Sequence, residues 1–172
     1  MAAAEDSATW GADRAVTELY SAHYRGLVRL AALLLRDPAE AEEVAQDAFV
    51  AMHRRWGRLR DPAAAVPYLR ASVVNGARSR LRHRSVARRH LQAVPADEPS
   101  AEQQVLAGLD RLAVVEALRT LPARQREALV LRYWAGLSEA EIAETMGVAR
   151  GSVKSHASRG LAALRTTLER RP

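Results

Sequence analysis

Apolar residues recur every three to four positions along most of the chain, which is the spacing that buries one face of an α-helix. No segment alternates apolar and polar residues in the way a half-buried β-strand would. The pattern predicts helices over residues 14–35, 37–56, 68–90, 103–119, 122–134, 138–146 and 150–168. The fold class is therefore all-α, and residues 1–12 are expected to form a disordered tail.

The composition changes in the middle of the chain. Residues 94–100, VPADEPS, are acidic, contain two prolines and have no apolar period. Such a segment is typical of a linker. We therefore place a flexible linker at 91–104, between a small helical domain at 13–90 and a second one at 105–170.

Residues 138–159, SEAEIAETMGVARGSVKSHASR, have the pattern of a helix-turn-helix. Ser138 and Glu141 have the spacing of a capping box, and Gly147 supplies the left-handed residue that ends the first helix. Val153 would anchor the second helix in the core. This leaves Lys154, Ser155, His156 and Arg159 on the outside. Such a second helix enters the DNA major groove, so the pattern predicts duplex DNA binding rather than a hairpin that serves only packing.

Charge supports a polyanionic partner, whereas the residue content gives no support for catalysis. The net charge is +6 and the sequence pI is about 10.6, which favours nucleic acid. There is no cysteine, so disulfides, thiolate metal sites and cysteine nucleophiles are excluded. No histidine pairs with a carboxylate in a metal-binding arrangement, and no Gly-rich phosphate loop occurs. We expect a protein that is not an enzyme and has no cofactor or metal.

The N-terminal residues lack a secretory signal pattern. The longest apolar run, residues 30–35, is too short to span a bilayer. A cytoplasmic protein without membrane insertion is therefore expected.

Two charged clusters each admit two interpretations. The arginines of residues 78–89 form either a solvated helix face or a grip on a phosphate backbone. Asp37 and Pro38 mark a helix start, and the acids that follow are either helix-dipole partners or a docking face for a protein. These acids are Glu40, Glu42, Glu43 and Asp47.

Three segments together resemble the extracytoplasmic-function (ECF) RNA polymerase sigma factors of the sigma-70 family. DPAEAEEVAQDAFVAMHRRW (37–56) resembles the helix by which these proteins grip the polymerase. YLRASVVNGARSRLRHR (68–84) resembles the adjoining promoter-melting helix. Residues 118–165, from LRTLPARQ to GLAALR, resemble the C-terminal promoter-binding domain. The order and the short linker also match, and the resemblance covers about 19–168.

The resemblance implies a role for each segment. The first helix would dock on the β′ clamp helices of core RNA polymerase through Gln46, Asp47, Val50 and Arg54. The loop 58–65 and the next helix would bind the −10 element. They would flip a base of the non-template strand and bind the unpaired strand. The residues implied there are Arg58, Arg60, Asn75, Arg78, Arg80 and Arg82.

The C-terminal domain would read the −35 element and meet the β flap. Its contacts to bases and phosphates would come from Arg150, Ser152, Lys154, Ser155, His156 and Arg159. Other partners implied are promoter DNA and an anti-sigma factor, with a monomer in the free state. His156 and Ser158 depart from the arginine and the bulkier residue common in the family, which leaves the −35 sequence open.

One rival interpretation remains. A stand-alone helix-turn-helix regulator would use its N-terminal half to dimerise or to sense a ligand, and would bind a palindrome. The separate arginine-rich helix and the linker favour the sigma-factor interpretation.

Overall fold

The computed structural model describes residues 2–59, 61–90 and 109–170, with side chains for 11–59, 61–86 and 112–170. Every regular element in these ranges is helical, which confirms the all-α class. The helices are α1 Ala2–Leu34, α2 Pro38–Arg55, α3 Ala65–His90, α4 Leu109–Thr120, α5 Ala123–Leu129, α6 Glu139–Met146 and α7 Arg150–Glu169. The chain forms two compact units, residues 1–78 and residues 79–172.

The core of the first unit lies where α1 packs on α2. The buried stripe of α2 has helical spacing and consists of Ala41, Val44, Ala45, Ala48, Phe49 and Met52, each at most 4% exposed. The opposing residues at the end of α1 include Leu30, Ala31 and Leu34, which are also buried. Asp37 caps α2, because its Oδ1 accepts from the N–H of Ala39 at 2.9 Å.

The third helix approaches α2 closely at Gly76. A Cβ built on Gly76 would lie 2.9 Å from Cγ1 of Val44, which is well inside the normal carbon–carbon contact of about 3.5–4.0 Å. The flanking residues Val73, Val74 and Ala77 are at most 1% exposed. Glycine at 76 therefore allows the backbone of α3 to approach the Val44 side chain of α2.

An aromatic cluster closes one side of the α1–α2 contact. The ring of Tyr20 stacks on Tyr24 at a centroid distance of 4.3 Å and tilts against Phe49 at 5.0 Å. Partial burial of the phenol raises the pKa of Tyr20 above its ordinary value of 10.0, and the neighbouring Tyr24 and Glu42 raise it further. The neutral phenol is therefore the form that the folded unit favours.

The start of α1 differs from the expected disordered tail over 1–12. The helix begins at Ala2 and continues without a break past Gly26. Alanine is the strongest helix former, and three alanines occupy the first turn. Ala12 is buried, and Nε2 of His53 lies 2.6 Å from Oδ1 of Asp13. A residue of α2 therefore contacts α1 before the predicted helix start at residue 14.

The connection between α2 and α3 is shorter than predicted. Two 3₁₀ turns, Trp56–Arg58 and Pro62–Ala64, replace most of the expected loop. Oδ1 of Asp61 accepts from the N–H of Ala63 at 2.9 Å. The third helix then begins at Ala65 rather than near Tyr68. The proline at 67 does not stop it, because the first turn of a helix needs no donor from that residue.

The boundary between the two units falls after Arg78, inside α3. The residues 78–86 of α3 include no buried side chain, so this arginine-rich half adds nothing to the first core. The predicted linker, 91–104, lies outside the described residues, as does the predicted start of α4 at 103.

The second unit packs α5, α6 and α4 against α7. Its core includes Leu131, Ile142, Met146 and Val153, each at most 1% exposed. The apolar face of α4 is only half covered, since Leu112, Val115 and Leu118 are all of intermediate burial. None of the helices in the described ranges has the length and apolar content to cross a lipid bilayer.

A π-helical turn, Val130–Trp134, extends α5. The N–H of Ala135 donates to the carbonyl of Val130 at 3.1 Å, which is the i to i+5 bond of a π-helix. The wider turn keeps Leu131 buried and leaves Tyr133 and Trp134 at 63% and 53% exposure. This stretch was predicted as the end of an ordinary α-helix.

Candidate nucleic-acid and protein interfaces

The helix-turn-helix has the local geometry predicted from its sequence. Oγ of Ser138 accepts from the N–H of Glu141 at 3.3 Å, and the Glu141 carboxylate accepts from the N–H of Ser138 at 2.9 Å. Gly147 ends α6 with φ 64°, in the left-handed region. Val153 is fully buried and anchors α7. The capping box, the glycine turn and the anchor are therefore confirmed.

The exposed face of α7 carries most of the residues predicted to meet DNA. Arg150, Lys154, Ser155 and Arg159 are exposed, opposite the buried Val153, Ala157 and Gly160. Ser152 and His156 are half-buried and lie on the flank between the two faces. A ligand that lies along the outer face of α7 would therefore meet Lys154 and Ser155 before His156.

Two further positions on the outer face of α7 were not among the predicted site residues. Gly151 and Ser158 are exposed, and their spacing places them between Lys154 and Ser155 on the helix surface. The helical period alone identifies both positions. Neither residue has a cationic side chain.

An arginine from α5 holds the turn of the helix-turn-helix. NH1 of Arg124 donates to the carbonyl of Met146, the last residue of α6, at 3.2 Å. The same nitrogen lies 3.4 Å from Oε2 of Glu127, whose side chain is 4% exposed. No sequence pattern indicates this contact, because its two ends are 22 residues apart.

The residues predicted for the −10 element lie on α3 and on the connection before it. Asn75 is exposed, and its Oδ1 accepts from NH1 of Arg78 at 3.1 Å. Arg58 and Arg82 are exposed, whereas Arg78 and Arg80 are half-buried. Asn75 and Arg78 are therefore in direct contact. Arg60 lies outside the described residues.

Arg55 and Tyr68 form a contact at the base of this connection that the sequence did not indicate. The guanidinium carbon of Arg55 lies 5.4 Å from the centroid of the Tyr68 ring, which is within cation–π range. Tyr68 is the first residue of the segment that resembles the promoter-melting helix. One face of its ring is in contact with Arg55, the last residue of α2.

The residues predicted for protein docking share one exposed face of α2. Gln46, Asp47, Val50 and Arg54 are all exposed, with Val50 at 49%. Their spacing places them on one side of the helix, opposite the buried stripe. Glu43, from the predicted acidic cluster, falls on the same face.

Two family models match the chain in order. The model described as Sigma-70 region 2 matches residues 19–87, and the model described as Sigma-70, region 4 matches residues 111–164. The ECF RNA polymerase sigma factor SigM of Mycobacterium tuberculosis is 37% identical over 150 residues, which are 87% of this chain and 75% of SigM. The chain belongs to the ECF sigma factors of the sigma-70 family.

Other relatives agree with this membership. The RNA polymerase sigma-E factor of Streptomyces avermitilis is 34% identical over 148 residues, covering 84% of this sigma factor and 80% of the relative. Sigma factors of this family bind RNA polymerase and promoter DNA in transcription initiation, and they are not enzymes. The membership disfavours the stand-alone regulator.

Solved structures share the fold of this sigma factor. The sigma factor RpoE from Bartonella quintana, in complex with the anti-sigma factor NepR, matches with a TM-score of 0.77 at 23% identity, covering 91% of this chain and 98% of RpoE. CnrH in complex with the cytosolic domain of CnrY matches with a TM-score of 0.70 at 24% identity, covering 97% of this chain and 96% of CnrH. At these identities the likeness concerns the fold alone.

Proposed function

We propose that this sigma factor directs promoter-specific initiation by reading a −35 element with its second unit and a −10 element with α3 and the connection before it. The observation that carries the proposal is the exposed basic face of α7, set opposite a fully buried anchor in a helix-turn-helix. Lys154 and Ser155 would reach base edges and phosphates in the major groove, flanked by Arg159. Arg150 and Ser152, near the N-terminus of α7, would contact phosphates, and His156 would act from the flank.

The −10 role rests on the arginine-rich half of α3. Arg58 and Arg60 precede this helix, and Asn75 lies one helical turn before Arg78. Arg80 and Arg82 follow. A cationic helix of this kind would hold the backbone of a displaced strand. Flipping a base out of the stack costs a few kcal/mol, which contacts to the extruded base and the backbone would offset.

The exposed face of α2 would dock on the β′ clamp helices of the polymerase. Gln46, Asp47, Val50 and Arg54 present one apolar and two charged side chains over one face, which suits a polar interface with a small apolar centre. The second unit would meet the β flap. The resulting complex would work in the cytoplasm without a cofactor, and the free chain would be a monomer. We extend the proposal to control by an anti-sigma factor, since the structural neighbour RpoE was solved in complex with the anti-sigma factor NepR.

Size-exclusion chromatography of the full chain with bacterial core RNA polymerase tests the proposal. The wild type should co-elute with the core enzyme at one-to-one stoichiometry, and Asp47→Arg and Val50→Arg should each abolish co-elution. Glu18→Arg is the matched control, because it reverses an exposed charge on α1 within the same unit. Run-off transcription by the reconstituted complex from a randomised promoter library would then identify the −35 and −10 elements.

The result can also contradict the proposal. Wild type that fails to co-elute, and that instead forms a homodimer shifting palindromic DNA unaided, would establish the stand-alone regulator. Equal loss of co-elution in Glu18→Arg would show that the α2 face is not the docking surface.

A further inference from the structure

The first helix of the helix-turn-helix lacks a cation of its own at its C-terminal end. Glu139, Glu141 and Glu144 make α6 acidic, and its last turn has no basic residue. The C-terminus of a helix carries partial negative charge and unpaired carbonyls, which a cation stabilises. A cationic side chain supplied from another helix would therefore strongly stabilise this end of α6.

Two of the terminal carbonyls of α6 are satisfied by the turn itself. The N–H of Val148 donates to the carbonyl of Ala143 at 3.0 Å, and the N–H of Gly147 donates to the carbonyl of Glu144 at 3.2 Å. The carbonyl of Met146 instead accepts from NH1 of Arg124 at 3.2 Å. This carbonyl directly precedes the left-handed glycine that sets the direction of α7.

The Arg124 side chain is held in this position from the other side. Oε2 of Glu127, one turn further along α5, lies 3.4 Å from the same NH1 nitrogen. The Glu127 side chain is 4% exposed, whereas that of Arg124 is 46% exposed. A buried carboxylate needs a cationic or hydrogen-bonding environment, so Glu127 draws Arg124 inward. One of the five guanidinium donors of Arg124 is thus directed at α6.

We propose that Arg124 is a positioning residue for DNA recognition by α7. Arg124 joins α5 to the C-terminal end of α6, and the buried Glu127 fixes its guanidinium. The orientation of α7 relative to α5 and α6 thus depends on this contact, although Arg124 itself touches no DNA. The inference rests on the proposed function, in that α7 must read a −35 element for its orientation to matter.

The test uses the full chain reconstituted with core RNA polymerase. The probes are two duplexes, one with the −35 hexamer that the wild-type complex enriches from a randomised library and one with that hexamer scrambled. Affinity for both is measured over a salt series for wild type, Arg124→Gln and Arg124→Lys. Arg132→Gln is the matched control, because it removes an exposed arginine of the same unit that pairs with Glu139 at 3.5 Å.

Loss of one charged hydrogen bond at the turn should weaken binding of Arg124→Gln to the enriched duplex by about tenfold. Binding to the scrambled duplex should change by less than about twofold, so the ratio of the two affinities falls. The slope of log affinity against log salt should be unchanged in Arg124→Gln. Arg124→Lys should recover most of the ratio of the two affinities. Arg132→Gln should have the same affinities as wild type.

Three outcomes would overturn the inference. An equal loss on both duplexes, with a salt slope lower by about 0.9, would mean that Arg124 contacts a phosphate directly. A lower melting temperature with an unchanged affinity ratio would mean that Arg124 only stabilises the unit. Affinities of Arg124→Gln equal to those of wild type on both duplexes would mean that the contact has no role in DNA recognition. If the wild-type complex enriches no hexamer, the proposed function itself fails, which is a separate result.

Discussion

Gly76 offers a direct measurement of how closely α2 and α3 pack. Gly76→Ala would introduce a Cβ 2.9 Å from Cγ1 of Val44. Val44 is 3% exposed and β-branched, and such a side chain has one strongly preferred rotamer in a helix. It therefore has little room to move. Gly26→Ala, in α1, is the matched control, since nothing lies within 4 Å of its added Cβ.

The magnitude follows from two opposing effects. Replacing glycine by alanine inside a helix stabilises by about 1 kcal/mol, and both substitutions gain this. Overpacking a tight core costs about 1–3 kcal/mol, and only Gly76→Ala incurs it. Gly26→Ala should thus raise the free energy of unfolding by about 1 kcal/mol. The free energy of unfolding of Gly76→Ala should be lower than that of Gly26→Ala by about 1–3 kcal/mol.

Urea denaturation gives the free energy of unfolding, and hydrogen exchange of α2 amides assigns the change to the first unit. Val44→Ala in the Gly76→Ala background removes the atom that clashes. The double mutant should therefore be more stable than the sum of the single effects, by about 0.5–3 kcal/mol. Equal stability of the two alanine variants, or an additive double mutant, would refute the close approach.

The remaining predictions concern the turn, the aromatic cluster and the DNA face. Gly147→Ala forces a Cβ into φ 64° and should lower the free energy of unfolding of the second unit by about 1–2 kcal/mol, as judged by urea titration; an unchanged midpoint would contradict the left-handed turn. Because the folded-state pKa of Tyr20 is raised, its contribution to stability is complete below pH 10 and declines as the pH rises through the folded value. Tyr20→Phe should therefore make stability less dependent on pH in this alkaline range, and identical pH profiles would argue against the shift. Lys154→Gln should lower the slope of log affinity against log salt by about 0.9 on promoter DNA, and an unchanged slope would remove Lys154 from the phosphate contacts.

Features that depend on neighbours in the sequence could be predicted. The Asp37 cap, the Ser138–Glu141 capping box and the turn at Gly147 each involve residues at most three positions apart or a single backbone angle. Their chemistry is the same wherever a helix starts or ends. The exposed face of α2 was likewise given by helical period, because burying one stripe leaves the opposite one outside.

Features that depend on tertiary contacts were missed. The Arg124 contact with Met146 exists only once α5 packs beside α6. The half-burial of His156 depends on how far the core reaches around α7. The burial of Ala12 and the contact of Asp13 with His53 lie ahead of the predicted helix start at residue 14, and no local pattern contains them. Local propensity alone does not decide such cases.

The π-helical turn at Val130–Trp134 makes one position in this chain tolerant of a change in length. A one-residue deletion in an α-helix rotates every later side chain of that helix by about 100°. In the π turn the same deletion would close the wide ring to an ordinary α-helical one, because the π bond already spans one residue more. Homologous chains should therefore vary by one residue here while the helices on either side keep their register.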